Sequence, residues 1–503
     1  MEEIDKNLDM PINDATALDN GQSEHNAPFF DEYGNRLSTS GKILLSLPEN
    51  ASGHITIPEG IEHVTADAFK RCGLITEITI PTSLKTLHHS NFRKQNSLLR
   101  FHVSPDNVFL HTDAGGKALF NQDYTFLFKV ACDVEEIQFP FGITAIGNHA
   151  FQGCAKLRTI AIPDTVNMLG ASAFADCTSL SDITIGTGVK KLPGWLFKHC
   201  TSLQHIAMPD SLRRIGTGTF AQCTSLAQIT LPSDLQAIND EAFIDCSNLR
   251  HIFIPRWVKA VGTAAFEGCS SLSAIDVDDD NAKLSSEGGL LYNKYQSQLL
   301  RCPENASFEA LPELLSSFAD AAFSGCKKIT KIAIPQYITS LPKYCFAFCE
   351  NLETVELNQN LTHIGQSAFE GCKRLENITL PQSVKTIGDY AFAYCASIEE
   401  LTLPENLTDI GSDESKENMR SGCTFYGCKS LKHIEIPNRI ANLGEYCFGN
   451  CESLETVSLP YMIDYIYSDL FAGCHALKEL VLANPYTKFD DGALPDNTSV
   501  VYK

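Results

Sequence analysis

The hydrophobic positions of this chain recur with a period of 23 residues. A cysteine marks each period, and one uninterrupted series is formed by Cys154, Cys177, Cys200, Cys223, Cys246 and Cys269. A second series runs from Cys326 to Cys474, and its step from Cys395 to Cys428 is longer than the others by ten residues. Self-similarity at such a period indicates stacked repeat units rather than several unrelated domains.

Each repeat predicts one strand followed by a return segment. The alternation of Ile160 and Ile162 predicts a strand with one buried face. Pro163 ends this strand, because proline cannot donate to a strand ladder. A single unit cannot bury its apolar face alone, so the units must stack and each apolar position must form a column. In the repeat from Cys154 the apolar positions are Leu157, Ile160, Ile162, Val166, Leu169, Ala173 and Phe174.

Cysteine shares the register of these apolar columns, so we interpret it as a small buried residue carrying a free thiol. Two alternatives remain. A disulfide needs Cα atoms within about 7 Å, and stacked strands lie about 4.8 Å apart, although parallel side chains point the same way. A zinc site needs closely spaced ligands, such as Cys345 with Cys349 or Cys447 with Cys451. The phenylalanine column beside it contains Phe151, Phe174, Phe197, Phe220, Phe243 and Phe266.

The pattern L-x-x-I-x-I-P-x-x-V-x-x-I-G-x-x-A-F-x-x-C, as in CTSLQHIAMPDSLRRIGTGTFAQC (200–223), resembles the BspA-like leucine-rich repeats, the 23-residue bacterial type. Two expanded repeats, GGKALFNQDYTFLF (115–128) and GGLLYNKYQSQLL (288–300), each predict a β-hairpin with a polar turn. We therefore expect a β-rich solenoid: a leucine-rich repeat array with a parallel concave sheet, short turns or helical segments on the return side, and two inserted β-hairpins.

The same pattern predicts the domain organisation. Residues 1–28 are acidic and polar, and we expect a disordered tail. Residues 29–503 are predicted to form a single solenoid. Within it we expect hairpin-bearing units near 95–130 and 269–302. We also expect a polar loop insertion at 412–421 and a C-terminal cap at 474–503.

Charge and hydropathy exclude some partners. The net charge is −22, with 61 acidic and 39 basic residues, which argues against nucleic acid or an anionic membrane as a partner. No apolar run of about 18 residues is present, so no membrane insertion is expected. The N-terminus has no signal-peptide pattern. The expected location is therefore cytoplasmic for the chain as written, or cell surface or secreted if it is a mature form. Nineteen cysteines, if reduced, suit a reducing compartment.

Motifs for catalysis are absent from the sequence. It contains no glycine-rich phosphate loop, no H-E-x-x-H and no G-x-S-x-G. We therefore predict no enzyme activity, no catalytic residues, no cofactor and no metal site.

Outward strand positions supply the candidate partner-binding residues, which are Arg158, His205, Arg250, His251 and Phe253. The fold does not need them for packing, and they combine cationic, titratable and aromatic character. His205, Arg250, His251 and Phe253 lie in consecutive or near-consecutive repeats of the concave sheet, so we predict that they form one patch about 15 Å long. The alternative is a solvated sheet face. The competing surface is the convex or hairpin side, including Tyr292 and the 412–421 loop. Acidic residues dominate the C-terminal part of the strip, with Glu353, Glu356, Glu376, Glu399, Glu400 and Glu435.

These observations favour a non-catalytic module that binds another protein and acts as a monomer, because a solenoid offers a long regular surface. The family resemblance implies an adhesin-like or surface-associated protein that binds host or matrix proteins. The alternative on the same fold is an intracellular scaffold or sensor.

Overall fold

The computed structural model describes residues 28–93, 95–412 and 422–503. Packing divides the chain into two compact units, residues 1–249 with 257–266 and residues 250–256 with 267–503. The predicted single solenoid of residues 29–503 stays a prediction. Nearly all of the predicted tail and of the predicted 412–421 loop lies outside the described residues.

The first unit consists of short strands and one 3₁₀ turn at His89–Phe92. Its described strands are β1 (Phe29–Phe30), β2 (Arg36–Leu37), β3 (Ile43–Ser46), β4 (Gly53–Thr56), β5 (His63–Val64), β6 (Ile75–Ile80), β7 (Thr86–Leu87), β8 (Arg100–Val103), β9 (Leu110–Thr112), β10 (Ala118–Asn121), β11 (Phe126–Val130), β12 (Ala145–Ile146), β13 (Thr159–Ala161), β14 (Met168–Leu169), β15 (Asp182–Thr184), β16 (Lys191–Leu192), β17 (His205–Ala207), β18 (Arg214–Ile215) and β19 (Ala237–Ile238).

The second unit has the same character. Its described strands are β20 (His251–Ile254), β21 (Ala274–Val277), β22 (Leu284–Glu287), β23 (Leu290–Asn293), β24 (Gln298–Arg301), β25 (Ser317–Phe318), β26 (Lys331–Ala333), β27 (Ser340–Leu341), β28 (Thr354–Glu356), β29 (His363–Ile364), β30 (Asn377–Ile378), β31 (Thr386–Gly388), β32 (Asp409–Ser412), β33 (His433–Glu435), β34 (Thr456–Leu459), β35 (Tyr465–Ile466), β36 (Glu479–Leu482), β37 (Lys488–Phe489) and β38 (Ser499–Tyr502).

A typical repeat contributes two strands, where the sequence pattern predicts one. The predicted first strand forms parallel sheets such as β13–β15–β17, with Ile160, Ile183 and Ile206 in register. A shorter second strand, at the V-x-x-I positions, forms further parallel sheets such as β16–β18–β19. Equal repeat length keeps both sets in register, so within each unit the apolar side chains of neighbouring repeats pack against one another. We call the first type the first-strand sheets; they are β4–β6–β8, β13–β15–β17, β20–β21, β26–β28–β30 and β33–β34–β36–β38.

Both predicted hairpins are confirmed, and each is part of a larger three-stranded meander. Strand β10 pairs antiparallel with β11, and β23 with β24. An additional strand, β9 or β22, precedes each hairpin and pairs with it antiparallel. The last strand then joins a second-strand sheet in parallel, β11 with β12 and β24 with β25. The meander thus takes the place of one return segment and continues the second-strand sheet, whereas the first-strand sheets end before it, at β8 and at β21.

The return segments are turns that contact the following repeat through their backbones. The peptide N–H of Phe174 donates to the carbonyl oxygen of Leu196 at 2.9 Å, and that of Phe197 donates to Thr219 at 2.8 Å. Two residues in each of these turns have positive φ, as in Ser172 (56°) and Asp176 (62°). Non-glycine residues adopt this conformation at a cost, and the bonds between repeats offset it.

The phenylalanine column is confirmed as a stack of buried rings. Successive ring centroids from Phe151 to Phe266 lie 4.7, 5.6, 5.6, 5.1 and 5.6 Å apart. In the second unit an equivalent stack extends from Phe323 to Phe471, with spacings of 4.8 to 5.9 Å. Offset aromatic stacking adds to area burial, so this column is a main source of stability in each unit.

The cysteine column is also confirmed. All nineteen cysteines are free thiols, and all but Cys72 and Cys423 are buried. Many of the buried thiols also have a role that hydrophobicity alone does not reveal: Cys177 Sγ donates to the carbonyl oxygen of Phe151 at 3.1 Å, and Cys200 Sγ to that of Phe174 at 3.1 Å. Burial raises the pKa of Cys177 to about 12, so the thiol stays protonated and able to donate at neutral pH.

Buried polar side chains replace backbone donors where the repeat is irregular. Lys129 ends the first meander, is fully buried, and donates through Nζ to the carbonyl oxygens of Gln152 (2.7 Å) and His149 (3.2 Å). Asn358 stands where other repeats have proline after the first strand, and its Nδ2 donates to Pro335 and Ile338 at 2.8 Å. These contacts supply side-chain donors to backbone carbonyl groups of the neighbouring repeat.

Phe243→Ala should lower the local free energy of unfolding by about 3–5 kcal/mol, through lost burial and a cavity. Phe243 is fully buried between two stacked rings, whereas Phe489 in β37 is only partly buried and its replacement should cost much less. Native-state hydrogen exchange is the appropriate measurement, because a repeat array need not unfold in two states. Equal losses for the two variants would contradict the stacked column.

In the native chain at neutral pH, a bulky thiol reagent should label Cys72 and Cys423 first and the other cysteines only after unfolding. Burial raises the pKa of Cys72 to about 11, so its labelling rate should increase as the pH rises towards that value. Mass spectrometry counts the labels. Rapid native labelling of most cysteines would contradict the buried column, and fewer than nineteen labels after unfolding without reductant would indicate disulfides.

Candidate partner-binding face

Alternation along β20 separates packing residues from surface residues. Ile252 and Ile254 are fully buried, whereas His251 is exposed and Phe253 between them is 48% exposed. Arg250, which immediately precedes the strand, is also exposed. These three residues therefore lie on one strand end with side chains that the core does not use. We call the exposed side of the first-strand sheets the outer face.

His251 has a partner that the sequence pattern does not single out. Its Nε2 lies 2.7 Å from Asp276 Oδ2 on the adjacent strand β21, where Asp276 is aligned with Phe253. Both side chains are about half exposed, at 52% and 50%, so the interaction contributes at most about 1 kcal/mol and exchanges readily for a partner's group. In the sequence, this pairing is indicated by a separation of one repeat plus two residues between His251 and Asp276, because that separation makes the two residues diagonal neighbours on adjacent strands.

Arg158 and His205 lie in the other unit. Arg158 is exposed immediately before β13, and exposed His205 opens β17, where it is aligned with Asp182 of β15. A shallow groove of about 440 Å³ covers this sheet, and its lining includes Glu136, Asp182 and His205. His205 therefore has acidic neighbours on its sheet. The structure places His251 and Phe253 on β20 with Arg250 immediately before it, and the single patch that also includes His205 stays a prediction.

The acidic strip of the second unit is partly neutralised by neighbouring repeats. Glu356 lies 2.6 Å from Lys331, and Glu399 lies 2.7 Å from Lys432. A groove of about 840 Å³ lies over β28 and β30, with Glu376 in its lining. Since the side chains of both pairs are about half exposed or more, the pairs contribute little to stability and still leave the groove acidic.

Tyr292 requires a correction. The sequence analysis places it on a competing hairpin surface, but it is 1% exposed and belongs to the core of the second unit. In β23 it faces inward with Leu290, and burial raises the pKa of its hydroxyl. The exposed aromatic of this meander is Tyr295, at 88%, in the turn between β23 and β24.

Further exposed aromatics lie on the return turns of the second unit. They occupy positive-φ positions two residues before or after a stacked phenylalanine. The sequence analysis does not name them, although this spacing from the phenylalanine is visible in the sequence. The set is Tyr344, Phe348, Tyr390, Tyr394 and Tyr446. Exposed aromatic groups are common contact residues in interfaces, so these turns form a second surface to be compared with the outer face.

The parallel first-strand sheets, the return turns and the columns of phenylalanine and cysteine define a leucine-rich repeat solenoid. The profile of the BspA type leucine rich repeat region matches six copies, over residues 50–114, 122–250, 195–290, 299–420 and 415–501. The chain belongs to this family, as its sequence pattern predicts.

Solved structures similar to the chain include bacterial leucine-rich repeat proteins. One is a leucine rich cell surface protein of Faecalibacterium prausnitzii, with 21% identity, coverage of 92% of this chain and 96% of that chain, and a TM-score of 0.39. Another, from Bacteroides ovatus, has 22% identity over 84% and 95% of the two chains and a TM-score of 0.41. A third, from Eubacterium ventriosum, has 20% identity over 66% and 91% and a TM-score of 0.48.

No curated protein matches the chain at a significant level. Within the described residues, no helix has the length and apolar character needed to span a membrane.

Proposed function

We propose that this chain is a non-catalytic, adhesin-like module that binds another protein through the outer face of its first-strand sheets. The observation that carries the proposal is the exposure of Phe253 on a strand whose two adjacent isoleucines are buried. A half-exposed aromatic ring on a rigid sheet binds a partner at little entropic cost, and large aromatic residues dominate binding energy at interfaces.

Charge around Phe253 supports a particular kind of partner. Arg250 is exposed beside it, and His251 exchanges Asp276 for another carboxylate at small cost. The chain as a whole carries a net charge of −22, so this cationic end of β20 contrasts with its surroundings. An acidic or aromatic-rich protein surface is complementary to it. Nucleic acid is disfavoured, because the net charge repels phosphate.

Surface association is proposed because the chain belongs to a family whose members are commonly surface proteins. The fold by itself does not determine the partner or location. A scaffold or sensor inside the cell is the second candidate, and the nineteen free cysteines favour it, since reducing compartments preserve thiols. Protease treatment of intact cells that produce the chain distinguishes the two candidates. Digestion of the chain on intact cells supports a surface location, and digestion only after lysis supports a location inside the cell.

Binding can be tested with the intact chain as bait for host and matrix proteins. Once a partner is captured, the double variant Arg250→Glu, Phe253→Ala should weaken its binding at least about tenfold, or roughly 1.4 kcal/mol. The free energy of unfolding should change by less than about 0.5 kcal/mol, because both side chains are exposed. Isothermal titration calorimetry and thermal melts measure these quantities.

Tyr295→Ala is the matched control, because it removes an exposed aromatic ring in the same unit but away from the outer face. It should leave affinity unchanged. Unchanged affinity in the double variant, together with loss of binding on deletion of residues 412–421, would transfer the site to that loop. Loss of affinity in Tyr295→Ala alone would transfer it to the meander.

A further inference from the structure

Three side chains on the outer face of β4–β6–β8 form a cluster of metal-ligating groups that is separate from the proposed partner site. His54 lies on β4, Glu77 on β6 and His102 on β8, so each strand of the sheet contributes one residue. Their ligand atoms all lie within 4.8 Å of one another. Within the described residues, no other histidine, cysteine, aspartate or glutamate group of three or more meets this condition.

Strand register brings these residues together. In the parallel sheet His54 is aligned with Glu77, and His102 is aligned with Thr79, two residues further along β6. Ile78 and Ile80 of β6 are buried, so Glu77 and Thr79 point to the opposite, outer face. The three ligands are thus mounted on the rigid backbone of a sheet, which positions a site better than a loop does.

The existing contacts are of the kind that a metal ion would reorganise. His102 Nε2 lies 2.7 Å from Glu77 Oε2, and the imidazole rings of His54 and His102 are 5.4 Å apart between centroids. His54 Nε2 lies 2.7 Å from the hydroxyl of Thr79. Two ligands of one tetrahedral zinc ion lie about 3.3 Å apart, as bond lengths of about 2.0–2.2 Å require. Small side-chain rotations of these partly exposed groups reach that spacing, with the metal replacing the proton between His102 and Glu77.

The chemistry of the three ligand groups selects the kind of cation. Two imidazoles and one carboxylate are the ligands preferred by borderline divalent cations, and zinc sites of three protein ligands keep a fourth position open. Mg²⁺ prefers oxygen ligands and is a poor match.

We propose that His54, Glu77 and His102 form a binding site for a divalent transition-metal cation, with Zn²⁺ as the representative ion. The fourth coordination position faces solvent and is available to water or to an external ligand. The sequence analysis expects no metal site, because the three residues are separated by 23 and 25 positions and no short ligand motif connects them.

Isothermal titration of the intact chain with ZnCl₂ should show one ion bound per chain. His54→Ala, Glu77→Gln and His102→Ala should each weaken binding at least about tenfold, since even outer-shell partners of a metal site commonly cost this much. His63→Ala is the matched control: His63 has a similar contact, Nδ1 to Thr86 Oγ1 at 2.8 Å, but lies on β5 outside the cluster. It should not change affinity, and Mg²⁺ should not compete.

Substitution with Co²⁺ distinguishes this cluster from the many thiols of the chain. A histidine–carboxylate site should give a visible spectrum without a thiolate charge-transfer band, and the spectrum should be lost in His54→Ala. The proposal would be overturned if the chain did not bind Zn²⁺, or if all three cluster variants bound Zn²⁺ as tightly as the unsubstituted chain. A thiolate band for the bound ion would overturn it as well. Circular dichroism verifies that every variant is folded.

Discussion

Peptide N–H groups in the return turns point at carbonyl groups of the following repeat, and the rest of each unit depends on this contact. Turns such as that around Phe174 hold two residues at positive φ, which costs on the order of 1 kcal/mol or more each. Such a turn persists only when its neighbour supplies the acceptors. No repeat can therefore keep its conformation alone, and the phenylalanine and cysteine columns follow from repeats that are forced into register.

Much of this arrangement follows from the spacing of apolar residues. A buried strand face is predicted by Ile160 and Ile162, and a buried ring by Phe174, because burial imposes a strict period on residue type. The second strand of each repeat escapes prediction, since two residues such as Lys191–Leu192 are too few to show alternation. Likewise, the hydrogen bond from the Cys177 thiol to the carbonyl oxygen of Phe151 depends on the direction of a side chain, so the hydropathy pattern does not predict it.

In the candidate site, too, the sequence predicts some features and not others. Alternation identifies Phe253 as an outward residue, but Tyr292 is buried because the meander folds its own strand inward. Partners that lie diagonally on neighbouring strands, such as His251 with Asp276, are separated by a repeat plus two residues, a distance that no short motif covers. Surface chemistry in a solenoid is therefore visible only when the repeats are placed side by side, because it is assembled across strands rather than along them.

Hydrogen–deuterium exchange of the native chain tests the dependence of each repeat on the next most directly. If return-turn N–H groups bind the following repeat, the amides of Phe174, Phe197 and Phe220 should exchange as slowly as those of strand β15. Exchange of these three amides at the rate of unprotected peptides, with β15 still protected, would show that the sheets alone hold the repeats together and would contradict this account.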